Sequence, residues 1–127
     1  NEVRSWIDAH PRGYICATLG IGEDGHTAGV MPYPDDPEGF AELFEQPEGV
    51  AVGYDAGERT AIPERVTVTL SFLRRSVAAA VVYAVGEQKR EPLVRALDES
   101  EPVYRTPASV ISTINAVDVV TDQSVIM

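Results

Sequence analysis

A chain of 127 residues with 44% apolar and 24% charged side chains has the length of one domain and the composition of a globular one, enough to bury roughly two thirds of its unfolded surface. Its formal net charge of −10 leaves no basic stripe to neutralise a nucleic acid and nothing to hold an acidic membrane surface. A local pair of Lys or Arg still suffices for one small phosphorylated ligand. Cys16 is the single cysteine, so no intrachain disulfide forms, and the expected setting is cytoplasmic. Cys16 lies in an apolar run and is expected to pack as a small hydrophobe. No apolar stretch reaches the roughly 18 residues of a spanning helix, and the opening residues Asn1 to Trp6 do not read as a signal peptide.

Taken in chain order, Val3, Trp6, Ile7 and His10 share one face of a helix over residues 2 to 10, stopped by Pro11 and Gly13. Tyr14 to Leu19 is a short apolar run bounded by glycine and reads as a buried strand. A glycine-rich turn from Gly20 to Gly29 follows, and Pro32, Pro34 and Pro37 then mark an irregular segment. Phe40 to Phe44 suggests a brief helix and Val50 to Tyr54 a strand. Arg65 to Leu70 alternates and is β-branched, as a strand with two different faces is. A short helix over Ser71 to Ser76 precedes a second continuous apolar run, Ala78 to Val85, again a buried strand. Gly86 ends it; Glu87 to Leu97 reads as a helix, Pro107 opens another, and Val117 to Thr121 is the last strand. Apolar strands alternating with helices predict an α/β fold with a mostly parallel sheet flanked by helices on both faces.

A glycine-rich turn directly after a buried strand is where α/β proteins place ligands. Gly22 and Gly25 let backbone approach a ligand closely, and Asp24 and His26 flank Gly25, set to converge on the same point. Histidine suits proton transfer near neutral pH, and a neighbouring carboxylate orients its ring. The same residues also suit a merely structural or solvent-facing loop. A dinucleotide fingerprint does not fit, because the pattern is not G-x-G-x-x-G. The run Asp35-Asp36-Pro37-Glu38 reads as a solvated acidic loop rather than a metal site, and His10 as structural or exposed.

The run Gly20-Ile21-Gly22-Glu23-Asp24-Gly25-His26-Thr27-Ala28 resembles the signature of the 6-phosphogluconolactonases, which share a fold with the glucosamine-6-phosphate deaminases. Arg65 to Thr69 resembles the family's Arg-led strand, Gly86-Glu87-Gln88-Lys89 its Gly-x-x-Lys element, and Pro107-Ala108-Ser109 with Val120-Thr121-Asp122 its last two elements. The resemblance implies a partial sugar-phosphate isomerase/lactonase-like fold. It reads residues 1–127 as a single domain, the C-terminal half of a larger one. It implies hydrolysis of 6-phosphogluconolactone, with His26 as general base and Asp24 orienting it, Gly22 and Gly25 at the substrate, and no metal or organic cofactor. Amides of the turn are expected to meet the developing oxyanion. Lys89 and Arg65 are the expected phosphate ligands, Lys89 near a helix start, with Arg59 a weaker candidate. The deaminase branch carries a glutamate five residues after the histidine, and that position is Met31 here. A deaminase, or a non-catalytic sugar-phosphate-binding module, is the alternative. Family members are about twice this length, so the partners expected are a phosphorylated sugar lactone and either the missing N-terminal half or a second copy meeting an unpaired sheet edge.

Overall fold

The computed structural model describes residues 2–125. Helix α1 (Glu2–Ala9) leads into strand β1 (Cys16–Gly20), then α2 (Pro37–Phe44), β2 (Ala51–Asp55), β3 (Glu64–Val68), α3 (Leu70–Ser76), β4 (Ala79–Ala84), α4 (Arg90–Leu97) and β5 (Val117–Thr121). Short 3-10 turns lie at 57–59 and 87–89, and a longer one at 107–113. The order matches the sequence reading almost element for element. The segment opened by Pro107 winds as 3-10 rather than α helix, and the helix expected from Glu87 takes its first turn as 3-10.

Each helix start has a local cause. Asp36 caps α2, its carboxylate accepting from Gly39 N–H at 3.0 Å while Pro37 occupies the first turn. Thr69 caps α3 by accepting from Phe72 N–H at 3.1 Å, and its hydroxyl donates to Gly49 O at 2.8 Å, tying the helix start to the chain before β2.

Strands β1, β4 and β5 form a parallel sheet in the order β1-β4-β5, with Leu19 opposite Val82 and Val82 opposite Val119. The α/β class with helices flanking a parallel sheet is thus as expected, but the structure covers one face of that sheet and not both. Strands β2 and β3 pair with each other as a separate antiparallel ribbon. On one face of the parallel sheet Leu19, Ala80, Val82 and Ala84 are buried in a core shared with Leu73, Leu93, Val110 and Ile111. The other face carries Cys16, Thr18, Val81, Tyr83 and Val120, all exposed, Tyr83 at 62%. Cys16 is therefore not the packed small hydrophobe expected from its apolar neighbours. Alternation along a parallel strand places every second residue on this open face.

A second aromatic core lies between α2 and the ribbon. Phe40 and Phe44 stack edge-on, and Phe44 meets Tyr54 at 5.0 Å between ring centres. Tyr54 then donates its hydroxyl to Gly29 O at 2.6 Å and accepts from Met31 N–H at 3.3 Å. The ribbon is fixed in this way to the chain leaving the glycine-rich turn. Thr67 reinforces the junction by accepting from Gly29 N–H at 2.9 Å.

Candidate active site

The carboxyl end of β1 runs straight into the glycine-rich turn. Three short bonds close it: Gly22 N–H donates to His26 O at 2.8 Å, Gly25 N–H to Gly22 O at 2.9 Å, and the buried Thr27 hydroxyl to Gly20 O at 2.8 Å. Chain direction reverses within a few residues, and Asp24 and His26 come to the same side. His26 Nδ1 lies 2.5 Å from Asp24 Oδ1, and His26 N–H donates to the same oxygen at 3.0 Å. A carboxylate can only accept, so Nδ1 is the donor of this bond, which leaves Nε2 as the acceptor in the neutral form of the ring. Both side chains are partly open to solvent.

The pair has an electrostatic signature. The Asp24 carboxyl is held below the ordinary carboxylate value, first by the hydrogen bond from the His26 ring and then, against the opposing cost of burial, by the His26 amide and its charge. Asp24 is charged near neutral pH.

Two glycines make this geometry possible. Gly25 has φ 92°, the left-handed region that side chains resist. Gly22 serves by its missing side chain alone: a Cβ there would stand 2.1 Å from both Nδ1 and Cε1 of His26 and 2.8 Å from Asp24 Oδ1. The Gly22 and Gly25 amides are both spent closing the turn.

Lys89 reaches this turn from the far end of the chain. It follows Gly86, whose φ of 109° turns the chain out of β4, and its Nζ donates to Ile21 O at 2.5 Å. Arg65 goes elsewhere. Its guanidinium donates to Thr60 Oγ1 and Ile62 O, both at 2.9 Å, bracing the loop between β2 and β3. Arg59 lies 3.7 Å over the Tyr33 ring and pairs with Asp35. Met31, in the place of the deaminase glutamate, is buried in the core. Among the described residues no group of three or more His, Cys, Asp or Glu is placed to hold a metal ion, and no helix is long and apolar enough to cross a membrane.

Sequence reading missed three residues that shape the site. Thr27 lay within the signature itself. Tyr54 and Thr106 gave no local signal, because their importance comes from partners 25 or more residues away.

The fold and the turn define a sugar-phosphate isomerase/lactonase-like α/β protein. The family described as glucosamine-6-phosphate isomerases/6-phosphogluconolactonase matches residues 2–120, and the chain belongs to it. Among solved structures it is similar to a 6-phosphogluconolactonase from Shewanella baltica, at 25% identity and a TM-score of 0.69 over 94% of this chain and 49% of that one. It is also similar in fold to the Thermotoga maritima 6-phosphogluconolactonase, at 18% identity and a TM-score of 0.67 over 94% and 48%. A monomeric glucosamine-6-phosphate deaminase is similar in fold at 19% identity and a TM-score of 0.67 over 96% and 50%. The chain thus spans about half the length of these structures. No curated protein matches it.

Proposed function

We propose that this chain is the C-terminal, acid–base half of a 6-phosphogluconolactonase. The observation that carries the reading is the Asp24–His26 pair over Gly22, at the carboxyl end of β1. With Nδ1 held by Asp24, Nε2 of His26 takes a proton from water as the water oxygen bonds to the lactone carbonyl carbon, C1. The tetrahedral intermediate collapses by breaking the bond between C1 and the ring oxygen. The imidazolium returns its proton to that oxygen, and Asp24 stabilises the imidazolium meanwhile. The product is the open hydroxy acid, 6-phosphogluconate.

Lys89 is the proposed phosphate ligand, since its ammonium already lies against the turn and needs only to exchange the Ile21 carbonyl for a phosphate oxygen. Arg65 is proposed as a second ligand that must first release Thr60 and Ile62. Gly22 and Gly25 border the substrate through their backbone. Buried Met31 favours the lactonase over the deaminase, because a thioether cannot relay a proton to a sugar ring oxygen. The open sheet face and the free edge of β1 are proposed to be covered in the working protein by the other half of the domain or by a second copy, in a cytoplasmic setting.

The test is hydrolysis of freshly made 6-phosphogluconolactone, corrected for spontaneous opening, by the chain, alone and joined to the other half of the domain, and by His26→Ala in the same forms. A fall of about 10²- to 10⁴-fold is expected for a lost general base. Release of ammonia from glucosamine 6-phosphate with no lactone turnover would replace this reading with the deaminase. Binding of 6-phosphogluconate with neither activity would replace it with a binding module.

A further inference from the structure

Against the turn, the chain from Glu101 to Ser109 forms a hydrogen-bonded brace. Arg105 N–H and Thr106 N–H both donate to Pro102 O at 3.0 Å. The Thr106 hydroxyl donates to Glu101 Oε1 at 2.7 Å, and the Ser109 hydroxyl to Glu101 O at 3.2 Å. Thr106, Pro107, Ala108 and Ser109 are all buried. Tyr33 N–H donates to Tyr104 O at 2.6 Å, so the brace is also fixed to the chain leaving the turn.

This brace touches the turn at Gly25, the residue between Asp24 and His26. Ala108 N–H donates to Gly25 O at 2.9 Å. The Thr106 methyl, Cγ2, stands 3.0 Å from where a Gly25 side chain would begin. One bond pulls the Gly25 carbonyl back while one methyl blocks the space behind its α-carbon. Gly25 has φ 92° and is the hinge on which the carboxylate and the imidazole turn toward each other. Its neighbours on the other sides are Lys89 at Ile21 O, and Arg95, whose Nη2 lies 3.5 Å from Glu23 O. Neither fixes Gly25 itself.

We propose that Thr106 is a positioning residue of the dyad, with its methyl wedged behind Gly25 and its hydroxyl braced by Glu101. It never meets substrate and acts only by setting how closely Asp24 and His26 approach. The role rests on the dyad being the working pair, but the geometric claim is separable from the lactonase reading, because it is read on the dyad itself and not on turnover.

The experiment is a carbon-13 NMR titration of the Asp24 carboxyl in the intact chain and in Thr106→Ser and Thr106→Val. Serine keeps the hydroxyl and loses the methyl; valine keeps the methyl and loses the hydroxyl. Thr106→Ser is expected to move the Asp24 midpoint up toward 3.8, the ordinary value, as the His26 bond loosens. Thr106→Val is expected to stay closer to the parent. A merely structural Thr106 would lower the melting temperature and leave the midpoint of the folded protein where it was, and that result would overturn the proposal. Should Thr106→Ser not fold, amide exchange of the unaltered chain decides. Ala108 N–H is expected to exchange only through global unfolding, and fast exchange by local opening would overturn the brace. Lactone turnover absent in all forms, with the Asp24 midpoint still moved by Thr106→Ser, would sink the proposed function and leave the positioning role standing.

Discussion

Gly22→Ala isolates the site from the fold. Gly22 is not at positive φ, so alanine suits its backbone and by itself stabilises by about 0.4–1 kcal/mol through the unfolded chain. Its new methyl, however, would occupy the space of His26 Cε1 and Nδ1. The ring is partly exposed and can swing into solvent instead of displacing backbone. That swing breaks the bond to Asp24, which is worth about 1 kcal/mol or less between two half-exposed groups. The two terms nearly cancel, and the melting temperature is expected to move by less than about 5 °C. Lactone hydrolysis is expected to fall by about 10²- to 10⁴-fold, the worth of a positioned general base, and the Asp24 carboxyl to titrate nearer its ordinary value. The rate is measured on whichever form turns the lactone over, the chain alone or joined to its other half; the titration and the melt need only the chain. Full activity in Gly22→Ala would refute the assignment of His26 as base in this geometry, and a collapse of the melting temperature would refute the argument that the ring yields first.

The neighbouring glycine behaves differently. Gly25→Ala meets both a φ of 92° and the Thr106 methyl, so it is expected to cost about 1–3 kcal/mol of stability, seen as a lower urea midpoint. Asp24 has a lowered folded-state pKa, so its contribution to stability is present above the ordinary value of 3.8 and is lost as pH falls through the folded value. Urea titrations of the parent and Asp24→Asn are expected to differ near neutrality and to converge in acid. Lys89→Met is expected to raise KM for the lactone by about tenfold or more, the worth of a charged hydrogen bond, with a smaller change in kcat; the reverse split would place Lys89 in the chemistry rather than in binding. Tyr83→Lys, on the open sheet face, is expected to weaken any self-association seen by sedimentation velocity. A parent that stays monomeric at every concentration would leave the other half of the domain as the cover.

Much of this molecule was legible before any coordinates. The elements follow the period of their apolar residues, and the turn was marked by glycines that physical necessity puts there. The Asp24–His26 pair was legible because it is local, with its two members separated by one residue. What failed had non-local causes. An apolar run such as Tyr14 to Leu19 reads as doubly buried, yet its burial depends on which layers the rest of the chain supplies, and here only one face is packed. The same blindness misplaced Cys16. Arg65 carries a family position but not its own partners, and only the structure shows it bonded to Thr60 and Ile62. Thr106 looks like any threonine before a proline until Gly25, 81 positions earlier in the sequence, is brought against it.

The exposed Cys16 thiol is the single cysteine of the chain, and it shares the open face with Val81 and Tyr83. It stands at the opposite end of β1 from the turn, roughly 13 Å from Gly20 by strand rise. The molecule therefore carries its own attachment point for a fluorophore or spin label: one site, no engineering, and at the other end of β1 from Asp24 and His26. A dye placed there would sense water while the sheet face is bare and a drier surrounding once another layer closes over it, turning the question of what covers this face into a spectrum.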